Sequence, residues 1–234
     1  MAAYRICGRV WRFGALKKGD WCGILDGNVL RACDPDGNGI PVPPDALAGA
    51  GKYLWEEQGI CTLPLTVTVG GERRMLMATV TANKVTQVTV EAGKADFSPA
   101  AIPLSCAHPL IGDPVPGKNG VLRVTALRLE RPYAAAFPET AGDCKKAWEA
   151  LRSSVLPEET RRVAGICVGE NRLQVRTEGG DVTGGDLCAA AAAGAAAGIC
   201  RADAVVLLSS PHGDGRGIVR RDRSVLLTLP VKSA

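Results

Sequence analysis

At 234 residues, with 46% hydrophobic and 22% charged side chains, the chain can bury one large core or two small ones, and disorder is excluded for most of it. A net charge of +4 on scattered Lys and Arg, with only 4% aromatic residues, offers neither the basic stripe nor the stacking platform that nucleic-acid binding uses. The opening MAAYRICGRVWRF carries early charges and no uninterrupted apolar run, which argues against a secretory signal and for the cytoplasm.

In chain order, alternating or apolar runs predict strands at 4–13, 22–25 and 29–33, then a helix at 43–57, then strands at 62–69, 75–81 and 85–91. A loop rich in Pro and Gly, 105–120, separates this half from a second one. There the pattern returns: strands at 121–129 and 133–137, an amphipathic helix at 143–154, and strands at 163–168 and 172–177. An alanine-rich helix from Asp186 to Cys200 follows, then strands at 204–209, 217–220 and 225–231.

The order is a repeat. Asp45-Ala-Leu-Ala-Gly-Ala-Gly and Asp186-Leu-Cys-Ala-Ala-Ala each read as a small-residue helix opened by an acid. Such a helix cannot anchor a core with its own side chains, so bulkier strands must wrap it and touch its backbone. The fold class expected is α+β: two pseudo-symmetric halves, 1–115 and 116–234, each a curled sheet or barrel around a central helix, the last strand returning to the first half. The alanine run is too short to span a bilayer.

Nine cysteines, an odd number spread singly with no CxxC and only His108 and His212 beside them, support neither a zinc site nor a disulfide framework. They read mainly as reduced, buried small hydrophobes, Cys188 among them. Cys22 and Cys33 lie near the expected pocket. No metal and no cofactor is expected. If the halves pack side by side, the amino ends of the central helices point into a shared cleft, where unpaired N–H groups and the helix dipole favour a small anionic ligand.

Three stretches carry a resemblance to a known family: RACDPDGNGIPVPPDALAGAGKYLWEEQG (31–59), VTVEAGKADFSPAAIPL (88–104) and VRTEGGDVTGGDLCAAAAAGAAAG (175–198). In order and over nearly the whole chain they resemble the diaminopimelate epimerase-like superfamily, which includes proline racemase, hydroxyproline dehydratase and the phenazine-biosynthesis isomerases. The resemblance implies two pseudo-symmetric halves around central helices, no cofactor, and in the epimerases two cysteines acting as acid and base on opposite faces of one α-carbon.

Both of those cysteines are missing here. The family's Cys-Gly-Asn-Gly box falls on Pro43-Pro44-Asp45-Ala46 and its Cys-Gly-Thr-Gly box on Thr183-Gly184-Gly185-Asp186. The Gly-Asn-Asp-Phe box stands as Gly19-Asp20-Trp21-Cys22, the Asn-Pro-His box as Arg131-Pro132-Tyr133, and the asparagine before Ala-Asp-Gly corresponds to Asp34. The Glu-Arg substrate clamp is shortened to Glu178-Gly179-Gly180-Asp181, with no arginine. A pocket lined by Asp20, Asp34 and Asp45 should not favour the usual amino-acid carboxylate, and suits a cationic, amide-like or larger ligand.

The candidate catalytic residues are therefore Asp45 or Asp20 as base, Thr183 with the Gly184 and Gly185 amides holding a developing oxyanion, and Tyr133 as proton donor. Asp34, Gly184, Gly185, Asp186, Arg131 and Pro43 are the candidate substrate contacts. Asp45 and Asp186 read equally as helix caps favoured by the dipole, and Thr183 as a cap. The expected function is a cofactor-independent isomerase, cyclase or lyase moving a proton on a small amino-acid-derived metabolite, in specialised biosynthesis. The alternative is a non-catalytic homologue that binds a ligand or pairs with a related chain. A small-molecule substrate and a homodimer are the partners expected, with no nucleic acid and no membrane.

Overall fold

The computed structural model describes residues 4–7, 21–34, 36–102, 107–117, 120–138, 140–153, 156–157, 159–178, 182–211 and 213–231. The chain divides into two compact units, 1–91 with 228–234, and 92–227.

In the first unit, β1 (Tyr4–Cys7), β2 (Cys22–Asp26), β3 (Val29–Cys33), β5 (Leu65–Val69), β6 (Glu72–Thr81) and β7 (Lys84–Lys94) lie side by side in that order, and β4 (Gly39–Ile40) pairs with β3. All neighbours are antiparallel except β3 and β5, which run parallel because helix α1 (Pro44–Glu56) connects them. Hairpin chemistry sets the turns: Ala82 and Asn83, between β6 and β7, both take positive φ, the twist that a two-residue hairpin needs.

The second unit repeats this plan. Its path is β8 (Asp113–Gly117), β9 (Gly120–Arg128), β10 (Pro132–Ala136), β11 (Arg161–Gly169), β12 (Arg172–Arg176), β13 (Val205–Ser209), β14 (Gly215–Val219) and β15 (Ser224–Pro230), whose last residues belong to the first unit. Two helices make parallel crossovers: α2 (Cys144–Arg152) between β10 and β11, and α3 (Gly184–Ala196) between β12 and β13. The fold is α+β and dominated by sheet, and among the described residues neither strand path closes on itself. The loop expected at 105–120 is corrected. Asp113–Gly117 pairs with β9 as an antiparallel edge strand despite its two prolines, which an edge tolerates because one row of N–H groups needs no partner.

Helices α1 and α3 are rich in small residues because strands come close to them. On α1, a Cβ at Gly51 would stand 3.0 Å from Val88 Cγ1 and 3.5 Å from Leu76 Cδ1. Residues 184–194 of α3 are all buried, and glycine on the facing strand permits this: a Cβ at Gly217 of β14 would stand 3.2 Å from Ala191 Cβ. Helix α3 also ends earlier than the composition predicts, at Ala196 and not Cys200. Gly198 takes φ +74°, its N–H reaches Ala195 O (3.2 Å) and that of Ile199 reaches Gly194 O (2.8 Å), a Schellman stop that overrides the helix propensity of the remaining alanine. Helix α2 closes a separate small core of Val115, Val124, Ala134, Ala136, Leu151 and Leu156.

Candidate functional site at the amino end of α3

Strands β10 and β11 run parallel with Tyr133 opposite Arg161, and α3 begins against their first residues. Thr183 is the N-cap in extended conformation, followed by Gly184, Gly185 and Asp186 in the first turn. Thr183 Oγ1 accepts the Asp186 N–H (3.3 Å), while the Asp186 carboxylate accepts the Thr183 N–H (2.8 Å) and hydroxyl (3.0 Å). This reciprocal cap satisfies two orphan donors of the helix. Asp186 is fully buried, and Arg161 holds both its oxygens, Nε to Oδ1 at 2.9 Å and a terminal nitrogen to Oδ2 at 3.0 Å. The fork geometry makes this the strong form of a carboxylate contact.

Beside this capped turn lies a second polar group of a different kind. Glu130, in the turn between β9 and β10, accepts the Tyr133 hydroxyl on Oε1 through a short hydrogen bond. Its Oε2 is buried without a partner. Tyr133 is fully buried, and the part-buried guanidinium of Arg131 lies over its ring, its carbon 5.5 Å from the centroid and Nε 3.4 Å from the hydroxyl. The pair touches α3 directly. A Cβ at Gly185 would fall 2.2 Å from Glu130 Oε1 and 2.4 Å from Tyr133 Oη, so only glycine fits there.

The electrostatics follow from burial. Desolvation raises the Glu130 carboxyl above its ordinary range, outweighing the opposing hydrogen bond from Tyr133 and charge of Arg131. Desolvation, then the neighbouring Glu130, push the Tyr133 phenol well above its own. Both groups thus hold their protons more tightly than they would in water. Arg131 stays firmly cationic, because Tyr133, Asp186 and Glu130 outweigh the effect of its burial.

Five of the residues singled out in the sequence meet here by contact or hydrogen bond: Thr183, Gly185, Asp186, Tyr133 and Arg131, with Gly184 between them in the chain. Asp34, after β3 in the first unit, is engaged locally. It accepts the Asn38 side-chain amide (3.0 Å) and backbone N–H (2.8 Å), and these bonds, the side-chain one above all, hold its carboxyl below the usual range. Pro43 is the N-cap of α1, with no side-chain cap bond, and Asp45 is half-buried in the first turn of that helix. Glu178 forms an ion pair with Arg152. Asp20, like Gly179, Gly180, Asp181 and His212, lies outside the described residues.

Sequence reading passed over Glu130 and Arg161. Glu130 stands immediately before the altered Arg-Pro-Tyr box, yet nothing local marks a hairpin glutamate as buried. Arg161 becomes visible only through the parallel register that sets it beside Tyr133, a pairing made across α2. Among the described residues no group of three His, Cys, Asp or Glu is placed to hold a metal ion, and no helix is long and apolar enough to cross a membrane.

No protein-family model and no curated protein matches the chain by sequence. Solved structures do match it. A probable proline racemase from Agrobacterium radiobacter K84, with bound carbonate, superposes with a TM-score of 0.57 at 13% identity, over 88% of this chain and 71% of that one. A hydroxyproline epimerase from Agrobacterium vitis, with bound trans-4-hydroxy-L-proline, gives 0.55 at 13% identity, over 86% of this chain and 66% of that one. A phenazine biosynthesis protein of the PhzF family from Bacillus anthracis gives 0.52 at 12% identity, over 87% and 78%. The chain has the diaminopimelate epimerase-like fold.

Proposed function

We propose that the chain is a cofactor-independent isomerase, cyclase or lyase that moves a proton on a small amino-acid-derived metabolite at the amino end of α3, without a pair of catalytic thiols. The observation that carries this reading is the Glu130–Tyr133 pair, packed on Gly185 with one carboxyl oxygen buried and unpartnered. Burial makes this carboxyl hold its proton more tightly than an ordinary one, which suits it to proton transfer, and a ligand group reaching this turn would give Oε2 the partner it lacks. Thr183 and Asp186 are committed to each other and to Arg161. They build the turn, and the amide of Gly185, which has no acceptor within the helix, is left to face a developing oxyanion. Asp45 and Asp20 are the proposed bases of the N-terminal half.

The likeness to a racemase, an epimerase and a phenazine biosynthesis protein supports proton transfer as the class of chemistry and biosynthesis of a specialised metabolite as the setting. A second reading, a homologue that binds a ligand or a related chain without turnover, draws on the same commitments: Asp34, Thr183 and Asp186 all satisfy the protein's own groups.

One experiment separates the two. The protein is incubated in heavy water with a panel of amino acids and cyclic imino acids, and α-deuterium is read by mass spectrometry. The catalytic reading expects incorporation that falls about 100-fold or more in Glu130→Gln and in Asp45→Asn, each checked for an unchanged thermal melt. Exchange that survives in Glu130→Gln would remove that residue from the reaction. No exchange on any compound would leave ligand binding as the function.

A further inference from the structure

β2 and β3 carry a pair of cysteines outside the site described above. Their register sets Leu25 against Leu30 and Gly23 against Ala32, and Leu25, Leu30 and Ala32 are buried core residues. Side chains alternate across a strand, so Cys22 opposite Cys33, like Ile24 opposite Arg31, belongs to the other face of the ribbon. These two thiols therefore face away from Leu25 and Leu30, although Cys22 is buried, as expected of a core cysteine, and only Cys33 is not. Cys22 is 2% exposed and Cys33 is partly exposed, and Cys33 Sγ donates to the Cys22 carbonyl at 3.6 Å. Register also sets Cys7 of β1 opposite Cys22 from the other side.

We propose that Cys22 and Cys33 form a cross-strand disulfide on oxidation, making this ribbon of the first unit a thiol modification site. Directly opposed residues of an antiparallel pair have Cα atoms roughly 4.5–5.5 Å apart, within the roughly 4.4–6.8 Å that a disulfide spans. Among the described residues the other opposed cysteine pair is Cys7 with Cys22, and peptide mapping tells the two pairs apart. Burial also pushes the Cys144 thiol up and the Cys200 thiol to about 11, which suppresses their thiolates. With a hydroperoxide as oxidant, the more accessible Cys33 thiol takes one oxygen to become a sulfenic acid and releases the alcohol or water. The Cys22 thiol then attacks that sulfur, the S–S bond forms, the S–O bond breaks, and water leaves with the thiol proton. This inference is independent of the proposed activity.

The test is peptide mapping of the intact folded chain, treated with hydrogen peroxide, alkylated and digested without reductant. The expected product is a Cys22–Cys33 linked peptide, lighter by two hydrogens than its separate thiols, in more than half of the molecules and released by dithiothreitol. It persists in a Cys61→Ser/Cys167→Ser background, which removes two exposed cysteines, and disappears in Cys33→Ser. The proposal is overturned if Cys22 and Cys33 remain alkylatable under peroxide that oxidises Cys61 and Cys167, or if Cys22 is found linked to Cys7. The wild-type map decides the matter even if Cys33→Ser fails to fold.

Discussion

α1 and α3 are both thirteen-residue crossover helices between parallel strands, and both place an aspartate in the first turn, yet their amino ends are held in opposite ways. α1 starts on Pro43 and Pro44 with no side-chain cap, and Asp45 sits half-buried in its first turn, where the dipole favours an acid. α3 starts on a reciprocal cap, drives its aspartate wholly into the protein, and ties it to an arginine from a strand that arrives beforehand. The lesson is that an acid at the same point of two repeated helices is a weak guide to role. What surrounds it decides: the buried Asp186 is structural because its four contacts leave nothing over, while the chemistry moves to a neighbour, Glu130, that the repeat does not mark.

The largest expected effect comes from breaking the better-held end. In Arg161→Ala the buried Asp186 loses its bidentate partner, and an uncompensated buried charge costs about 3–5 kcal/mol. Asp45→Ala should cost less, because that side chain is half-buried where Asp186 is wholly buried. Urea denaturation of the two variants measures the difference directly. Comparable losses would mean that Asp45 is as deeply engaged as Asp186.

Next in size is a matched pair of glycine substitutions. Gly→Ala inside a helix ordinarily gains about 0.5–1 kcal/mol, so contact must decide the sign. At Gly51 the new methyl meets the flexible tip of Val88 at 3.0 Å, and the two effects should nearly cancel. At Gly185 it would overlap Glu130 Oε1 and Tyr133 Oη, and overpacking of this kind costs about 1–3 kcal/mol. The same substitution should abolish deuterium exchange, because it displaces the carboxyl before it unfolds the helix. A stable, active Gly185→Ala would break the assignment of this turn.

How much of this was legible in the sequence differs between fold and site for a physical reason. Alternation, turn glycines and the alanine run are local signals, so the strands, the two central helices and their repetition could be read residue by residue. The exceptions are Asp113–Gly117, where prolines masked an edge strand, and the end of α3, where one glycine outweighs propensity. The site depends on pairings between distant segments. Tyr133 meets Arg161 through a parallel register made across a helix, and Glu130 meets Gly185 across some fifty residues, about which neither local sequence says anything. Thr183, Gly185 and Tyr133 were found because the family resemblance named their boxes, and Glu130 was missed because it stands one residue outside.

A third comparison uses pH. Glu130 has a folded-state value above its ordinary 4.5 and is therefore better protonated in the native chain than in the unfolded one. Its stabilising contribution is complete below that value and is lost as pH rises through the folded one. Groups facing it are Tyr133, Arg131 and Asp186, and both Tyr133 and Arg131 keep their protons throughout. Glu130→Gln should accordingly flatten the decline in melting temperature from pH 4.5 upward, whereas Asp45→Asn should leave that decline as it is. An unchanged slope in Glu130→Gln would show the carboxyl to be ionised, and would withdraw its role as a proton donor.

The smallest effect tests whether the weaker amino end can be improved. Pro43 already has the extended backbone of an N-cap, φ −74° and ψ 156°, but brings no oxygen to the first turn. A serine there can accept a first-turn N–H, worth about 1 kcal/mol. Removing the proline frees the unfolded chain at a cost of about 0.4–1 kcal/mol. Pro43→Ser should therefore change stability by less than about 0.5 kcal/mol, a near-cancellation that chemical denaturation can resolve against Pro43→Ala, which suffers the second effect without the first. If serine and alanine prove equal, the end of α1 has no amide waiting for a cap, and what distinguishes it from α3 is that its donors are already satisfied.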